Sequence, residues 1–172
     1  MNAIDLLKRQ HQKTKAALAK GAEGKLDARE AKKAADELVA HMVIEEHIFY
    51  PRVRQLMKDL VGESFEEHTV ARFALARCLT ARGEEQTKTR FTVLKEIVGH
   101  HIQEEEREMF PKVQKGIPAE ELERLGDRMQ AMFEQAVEAG LEALVTGATH
   151  DLRGPNGSGT SGRARRSVHA HR

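Results

Sequence analysis

The chain carries one pattern twice, HMVIEE at residues 41–46 and HIQEEE at residues 101–106, and each copy reaches a proline ten residues after its histidine. In a helix, side chains four residues apart lie on one face, with Cβ atoms roughly 5–6 Å apart. An imidazole and a carboxylate placed in this way bind one cation together. Two such helices facing each other form a dinuclear site of the kind found inside helix bundles. The repeat therefore predicts a metal site between helices.

The composition favours a helical protein of the reducing compartment. Hydrophobic residues make up 40% of the 172 residues and charged residues 32%, with no Trp and one Tyr. Such a mixture is typical of amphipathic helices rather than of sheets. The single cysteine, Cys78, excludes an internal disulfide. No apolar run approaches the roughly 18 residues of a membrane span, so we expect a cytoplasmic protein with no membrane partner.

The helical periodicity predicts an all-α fold with four long helices and a fifth at the C-terminus. Asp27 with Glu30 and Ser64 with Glu67 have the spacing of capping boxes, which predicts that the second and third helices begin there. Pro51 and Pro111 should kink or end their helices. The predicted spans are about residues 2–20, 27–51, 64–83, 87–116 and 118–146.

The chain divides into three predicted regions. Residues 1–116 form the metal-binding bundle, and residues 117–146 form a helix that packs either on this bundle or on a dimer partner, leaving monomer and homodimer open. Residues 147–172 are rich in Gly, Ser and Arg and are predicted to be a disordered basic tail. A solvated tail is favoured over one that binds nucleic acid.

The apolar stripe of each long helix is interrupted by a histidine, and two stripes also contain a glutamate one turn later. A lone buried histidine is usually an ordinary core residue. Ionised carboxylates on apolar stripes without Lys or Arg nearby require compensation, which a metal supplies. Helix lengths place these residues at one depth only if the second helix leaves the bundle near Pro51 and residues 52–62 turn aside. The candidate ligands are His11, His41, Glu45, His68, His101 and Glu105.

With these residues the chain resembles the HHE cation-binding proteins of the hemerythrin family over about residues 4–115. The shared order is His, His-x-x-x-Glu, His, His-x-x-x-Glu, followed by Tyr50-Pro51 and Phe110-Pro111. The segment from Glu121 to Met129 resembles a subgroup with a fifth helix. The resemblance implies an up-down-up-down bundle holding two non-haem iron ions joined by an oxo or hydroxo bridge. It also implies that the glutamates of the two His-x-x-x-Glu motifs bridge the irons and that the four histidines are terminal ligands.

One departure from that family pattern bears on function. Oxygen-carrying members have a fifth histidine four residues after the one matching His68, where this chain has Arg72. Both irons would then have room for solvent or substrate, which favours reaction with O2 or hydrogen peroxide, with catalase-like turnover, over oxygen carriage. The alternatives are a non-catalytic sensor of oxygen, iron or nitric oxide, and an iron-binding stress protein. Nitric oxide handling or iron-centre repair is a weaker alternative, because the chain has no second cysteine. A His/carboxylate set also accepts manganese or zinc.

Residues flanking the motifs are expected to be less directly involved. Tyr50 is expected to pack in the core, and the alternative is that the adjacent proline turns its phenol towards the iron as an additional ligand. No residue is assigned a catalytic role. The residues expected at the surface or as solvated charges are Glu46, His47, His100, Glu104 and Glu106.

Overall fold

The computed structural model describes the backbone of residues 1–151 and the side chains of residues 1–140. Every regular element in that part of the chain is a helix, which confirms the predicted all-α fold. Helix α7 continues past the predicted end near residue 146, and the remainder of the predicted tail lies outside the described residues. The elements are α1 (Ala3–Ala22), α2 (Ala28–Ile44), π1 (Glu45–Phe49), α3 (Tyr50–Val53), α4 (Lys58–Leu79), α5 (Glu84–Glu104), π2 (Glu105–Met109), α6 (Phe110–Gly116) and α7 (Ala119–Asp151).

The four long helices form the predicted bundle, and a fifth helix packs on one side of it. Helix α1 packs against α5 and α2, and α4 packs against α5. Helix α7 lies across α2, α1 and π1, where Leu122, Leu125 and Met129 are buried. Gly126 permits this close approach, because a Cβ there would lie 2.1 Å from the Met1 carbonyl oxygen. None of the described helices is long and apolar enough to cross a membrane.

The helix starts agree with the sequence in one case and differ in another. Asp27 and Glu30 form the predicted capping box of α2. Helix α4 begins at Lys58 rather than near Ser64, whose hydroxyl donates to the Leu60 carbonyl inside the helix at 2.9 Å. The predicted departure from the bundle is therefore confined to the loop at residues 54–57. Gly62 lies within α4, on an open face where an added Cβ would have nothing within 4 Å.

The buried apolar residues form two clusters, one on each side of a polar layer. On α1 the first cluster includes Leu7 and the second Leu18, with His11 between them. The same division recurs on α5 and its extension, where Val98 and Met109 belong to different clusters. The candidate ligands thus occupy one layer in the middle of the core.

Candidate metal centre

Two π-helical turns position the two central carboxylates. The Tyr50 N–H donates to the Glu45 carbonyl, and the Phe110 N–H donates to the Glu105 carbonyl, five residues back in each case. Each π turn precedes a proline, and the helix then continues as α3 or α6. The sequence predicted kinks or ends at these prolines. Instead the backbone widens one turn earlier, a form often seen at functional sites.

The structure brings the six candidate ligands together in one buried layer. All six have less than a tenth of their surface exposed. They come from α1, α2, π1, α4, α5 and π2, so every long helix of the bundle contributes. The six residues are His11, His41, Glu45, His68, His101 and Glu105.

Glu45 lies between histidines of three helices. Its Oε2 is 3.3 Å from His41 Nε2 and 3.3 Å from His68 Nε2. Its Oε1 is 3.9 Å from His11 Nε2. The Glu45 carboxylate therefore has oxygens near His11 and His41 and also near His68, as a bridging ligand requires.

Glu105 has the matching position on the opposite side. Its Oε2 is 3.2 Å from His11 Nε2 and 3.6 Å from His101 Nε2. Its Oε1 accepts a hydrogen bond from the Tyr50 hydroxyl at 2.9 Å. The same hydroxyl is 3.2 Å from His68 Nε2. Tyr50 is fully buried, and its phenol faces the centre, which is the orientation that a role as an additional ligand would require.

Two overlapping groups of side chains have the geometry to hold metal ions. Within each group the ligand atoms lie within 4.8 Å of one another. We name these groups position A and position B, and they share Glu45. Position A consists of His11, His41, Glu45 and Glu105, and position B consists of Glu45, His68 and His101.

At position B, His68 Nε2 and His101 Nε2 lie 3.0 Å apart and are partners of each other. Several polar atoms of position A lack hydrogen-bond partners, which is the test of whether a cation fits there. Buried side-chain nitrogens and oxygens are normally satisfied, and leaving one unsatisfied costs about 1–3 kcal/mol. Five such atoms occur among the described side chains, and all five belong to this layer. They are His11 Nε2, His41 Nε2, both carboxylate oxygens of Glu45, and Glu105 Oε2. A bound cation would satisfy all of them at once.

Each imidazole is fixed from behind by an acceptor of its own. The Nδ1 atoms lie 2.7–2.9 Å from these acceptors. An Nδ1–H that donates in this way leaves the Nε2 lone pair directed at the metal layer. The pairs are His11 with Glu106, His41 with Gln10, His68 with Glu46, and His101 with Glu67.

The structure corrects the sequence prediction that Glu46 and Glu106 are solvated charges. Glu46, on π1, holds His68 of α4, and Glu106, on π2, holds His11 of α1. The prediction missed them because it placed every residue beside the apolar stripe in solvent. A sequence signal was available, since both copies of the motif contain the second glutamate. Glu104, by contrast, forms no hydrogen bond with any of the four histidines of the layer and lies 3.4 Å from the exposed His100.

Two cations secure these carboxylates from the outside. Arg72 Nη2 lies 2.8 Å from Glu46 Oε2, and Lys15 Nζ lies 3.5 Å from Glu106. Both cations stand four residues after a histidine of the layer. The Arg72 side chain therefore binds a carboxylate behind His68 and does not enter the centre.

The pKa values of the two central carboxylates are shifted in opposite directions. Burial, and then the charge of Glu105, raise the pKa of Glu45 well above its usual range. Burial acts in the same direction on Glu105, but His101 and His11 outweigh it and lower the pKa of Glu105. Burial also lowers the pKa of His41. A cation bound in the layer would favour the ionised form of both carboxylates.

Comparison with known proteins identifies the family of the chain. The family model described as the hemerythrin HHE cation binding domain matches residues 2–113. The chain belongs to the hemerythrin HHE cation-binding family. That match contains all six candidate ligands and Tyr50, and membership in this family makes the chain a metal-binding protein for which iron is the implied metal.

Relatives of this HHE protein match most of its length, and a solved structure has a similar fold. The uncharacterized proteins Rv2633c of Mycobacterium tuberculosis and Mb2666c of Mycobacterium bovis are each 30% identical over 157 residues, covering 88% of this chain and 98% of theirs. A crystal structure of an HHE domain-containing homolog of Rv2633c from Mycobacterium kansasii superposes with a TM-score of 0.68 at 29% identity. It covers 85% of this chain and 98% of that chain.

Proposed function

We propose that this HHE protein is a non-haem di-iron protein that reacts with O2 or hydrogen peroxide and turns over peroxide in a catalase-like reaction. The observation that carries the proposal is the set of five unpaired buried polar atoms around one shared carboxylate. Positions A and B would each hold one iron ion; Glu45 belongs to both groups, and Glu105 Oε2 lies near His11 of one and His101 of the other. Two bound irons would supply the redox chemistry that an O–O bond requires.

The side chains supply ligation, orientation and a dry site. The four outer acceptors fix the imidazole rings, so little reorganisation is needed when an ion binds. Apolar walls above and below the layer exclude bulk water, which strengthens electrostatic interactions inside it. The leucines of these walls are all buried, namely Leu7, Leu38, Leu75 and Leu94.

Tyr50 is the hydroxyl group best placed to act on a small ligand. Its O–H donates a hydrogen bond to Glu105 Oε1, and its oxygen lies 3.2 Å from His68 Nε2. In the proposed function this hydroxyl would supply a proton donor to a small ligand bound in the layer, or would itself be an additional ligand beside His68 and Glu105. Six other protein ligands leave coordination room at both ions, and Arg72 faces away. These features favour reaction with peroxide over reversible oxygen carriage.

The first experiment measures the metal content of the protein purified from its native host. We expect about two irons per chain, as the two positions require. Iron-loaded protein should then evolve O2 from hydrogen peroxide above a free-iron control. Replacing Glu45 or Glu105 by Ala should abolish both results, whereas the matched exposed variant Glu66→Ala should retain them. Iron-loaded protein without O2 evolution would refute the peroxide reaction.

A substitution at Arg72 tests the argument against oxygen carriage. Arg72→His restores the residue type that oxygen carriers have at this place. We expect longer-lived oxygen adducts in this variant if the missing histidine is what limits carriage. Adducts as short-lived as those of the wild type would show that the absent ligand is not the cause. The decay of the visible absorption after mixing with O2 measures this lifetime.

A second candidate function is sensing, and one contact favours it. Arg52 on α3 binds both carboxylate oxygens of Glu121 on α7, with Nη2–Oε2 at 2.9 Å. This pair joins the turn after Tyr50 to the fifth helix. A change at the metal layer would therefore reach α7. Ligand-dependent hydrogen exchange in α7, without peroxide turnover, would favour sensing of O2 or nitric oxide in the cytoplasm by a monomer or homodimer.

A further inference from the structure

The two halves of the bundle repeat one another at most of the residues around the metal layer. Each half supplies a histidine on its first helix and a His-x-x-x-Glu-Glu motif on its second. Each half also supplies a cation four residues after the first histidine. The corresponding pairs are His11 with His68, Lys15 with Arg72, His41 with His101, Glu45 with Glu105, and Glu46 with Glu106.

The correspondence fails at two places that touch the metal layer. Gln10 Oε1 accepts from His41 Nδ1 at 2.8 Å, whereas its counterpart Glu67 accepts from His101 Nδ1 at 2.7 Å. The first acceptor is a neutral amide, and the second is a carboxylate. The two geometries match closely, so the difference is one of charge.

The second difference lies at the residue before each proline. Phe110 stacks on His11 with ring centroids 5.7 Å apart. Its counterpart Tyr50 lies against His68 with centroids 5.5 Å apart and adds a hydroxyl 3.2 Å from His68 Nε2. The aromatic ring is present in both halves, but only one half supplies an oxygen.

Both differences favour the same position. At position B, His68 and His101 are each backed by a carboxylate, and Tyr50 supplies an oxygen. At position A, one of the two histidines is backed by the amide of Gln10, and the corresponding ring carries no oxygen. A carboxylate behind a ligating imidazole makes it a stronger donor, and losing such a partner costs roughly 10–100-fold in metal affinity.

We propose that the two metal positions are unequal, that position B fills first, and that Gln10 and Glu67 are the positioning residues that set this order. The inference rests on the proposed function, because it requires two bound ions. The five unpaired atoms all belong to position A, and a count of ligand groups would also give the opposite order, with four at position A and three at position B. Tyr50 removes that advantage, because its hydroxyl provides position B with a fourth group.

The test is an anaerobic titration of the metal-free full-length protein with Co²⁺, followed by absorption and calorimetry. We expect two binding steps separated by roughly 10-fold or more in the wild type, since the backing groups differ at one histidine. Glu67→Gln should weaken the first step by roughly 10–100-fold. Gln10→Glu should strengthen the second step by a similar factor. Either variant alone should reduce the difference in affinity between the two binding steps.

These substitutions preserve the fold while they change the charge. A glutamine at residue 67 retains an oxygen that accepts from His101 Nδ1, so the ring remains fixed. Glu66→Gln is the matched control, because it removes a charge from the exposed neighbouring side chain without contacting an imidazole. The control should leave both steps unchanged, and an equal effect from it would overturn the proposal.

The outcomes separate this inference from the function on which it rests. Two ions of equal affinity in the wild type would overturn the unequal order and leave the dinuclear site intact. If Glu67→Gln weakens the second step and widens the separation, position A fills first and the assignment is wrong. Binding of no ion, or of one only, would overturn the dinuclear function as well.

Discussion

Replacing Glu45 by Gln should stabilise the metal-free protein. Both oxygens of Glu45 are buried without hydrogen-bond partners, and burial together with Glu105 raises the pKa of this carboxyl well above 4.5. A raised pKa contributes stability that is fully present below the unfolded value and is lost as the pH rises through the folded value. Each pH unit in that interval costs about 1.4 kcal/mol. Glutamine does not ionise, so the variant avoids this loss.

The assay is denaturant unfolding of chelator-treated protein between pH 5 and pH 8. The free energy of unfolding of Glu45→Gln should exceed that of the wild type by an amount that grows with pH, by up to about 1.4 kcal/mol per unit. Added metal should reverse the ranking, because it stabilises only the protein that retains its ligands. Glu66→Gln, at an exposed site, should follow the wild type. A variant less stable at every pH, or a difference independent of pH, would refute the assignment of Glu45 as a desolvated carboxylate.

Three further predictions concern metal removal, a buried hydroxyl and a close contact. Metal at 100 times its Kd should raise the free energy of unfolding by about 2.7 kcal/mol, and removing it with a chelator should reverse this gain, as measured by denaturant titration. Tyr50→Phe should cost the metal-free protein about 1–3 kcal/mol by leaving Glu105 Oε1 without its donor, and an unchanged midpoint would contradict this bond. Gly126→Ala should cost about 1–3 kcal/mol because its Cβ meets the Met1 carbonyl, whereas Gly62→Ala, with open space, should not lower the Tm.

Helical spacing was sufficient to predict which residues the fold brings into the metal layer. A histidine and a glutamate four residues apart must share a face, and an apolar stripe must face the core. The structure accordingly places His41 and Glu45 side by side. The spacing was not sufficient to predict the π turns, because an i to i+5 hydrogen bond leaves no periodic signature in a five-residue segment. The aromatic-proline pairs after both glutamates were its only local indication.

The errors of the sequence analysis have a common physical cause. Ser64 and Glu67 have the spacing of a capping box, yet Lys58 begins the helix and Glu67 is engaged by His101 instead. Glu46 lies one residue beside the stripe, and in a bundle that flank faces the neighbouring helix rather than solvent. In each case a tertiary contact determines the role of the residue, and such contacts are not encoded by local spacing.

The exchange of carboxylates between the halves also explains why two copies of the motif are required. Each copy contributes one carboxylate to the metal layer and a second that holds a histidine of the other half, as Glu46 does for His68 and Glu106 does for His11. Neither half can orient all of its own histidines alone. Docking of the halves and alignment of the ligands are therefore one event, and metal binding is coupled to the packing of the whole bundle. Arg72 therefore has a structural role of its own at the place where oxygen carriers have a fifth histidine, because it binds Glu46, the carboxylate that orients His68.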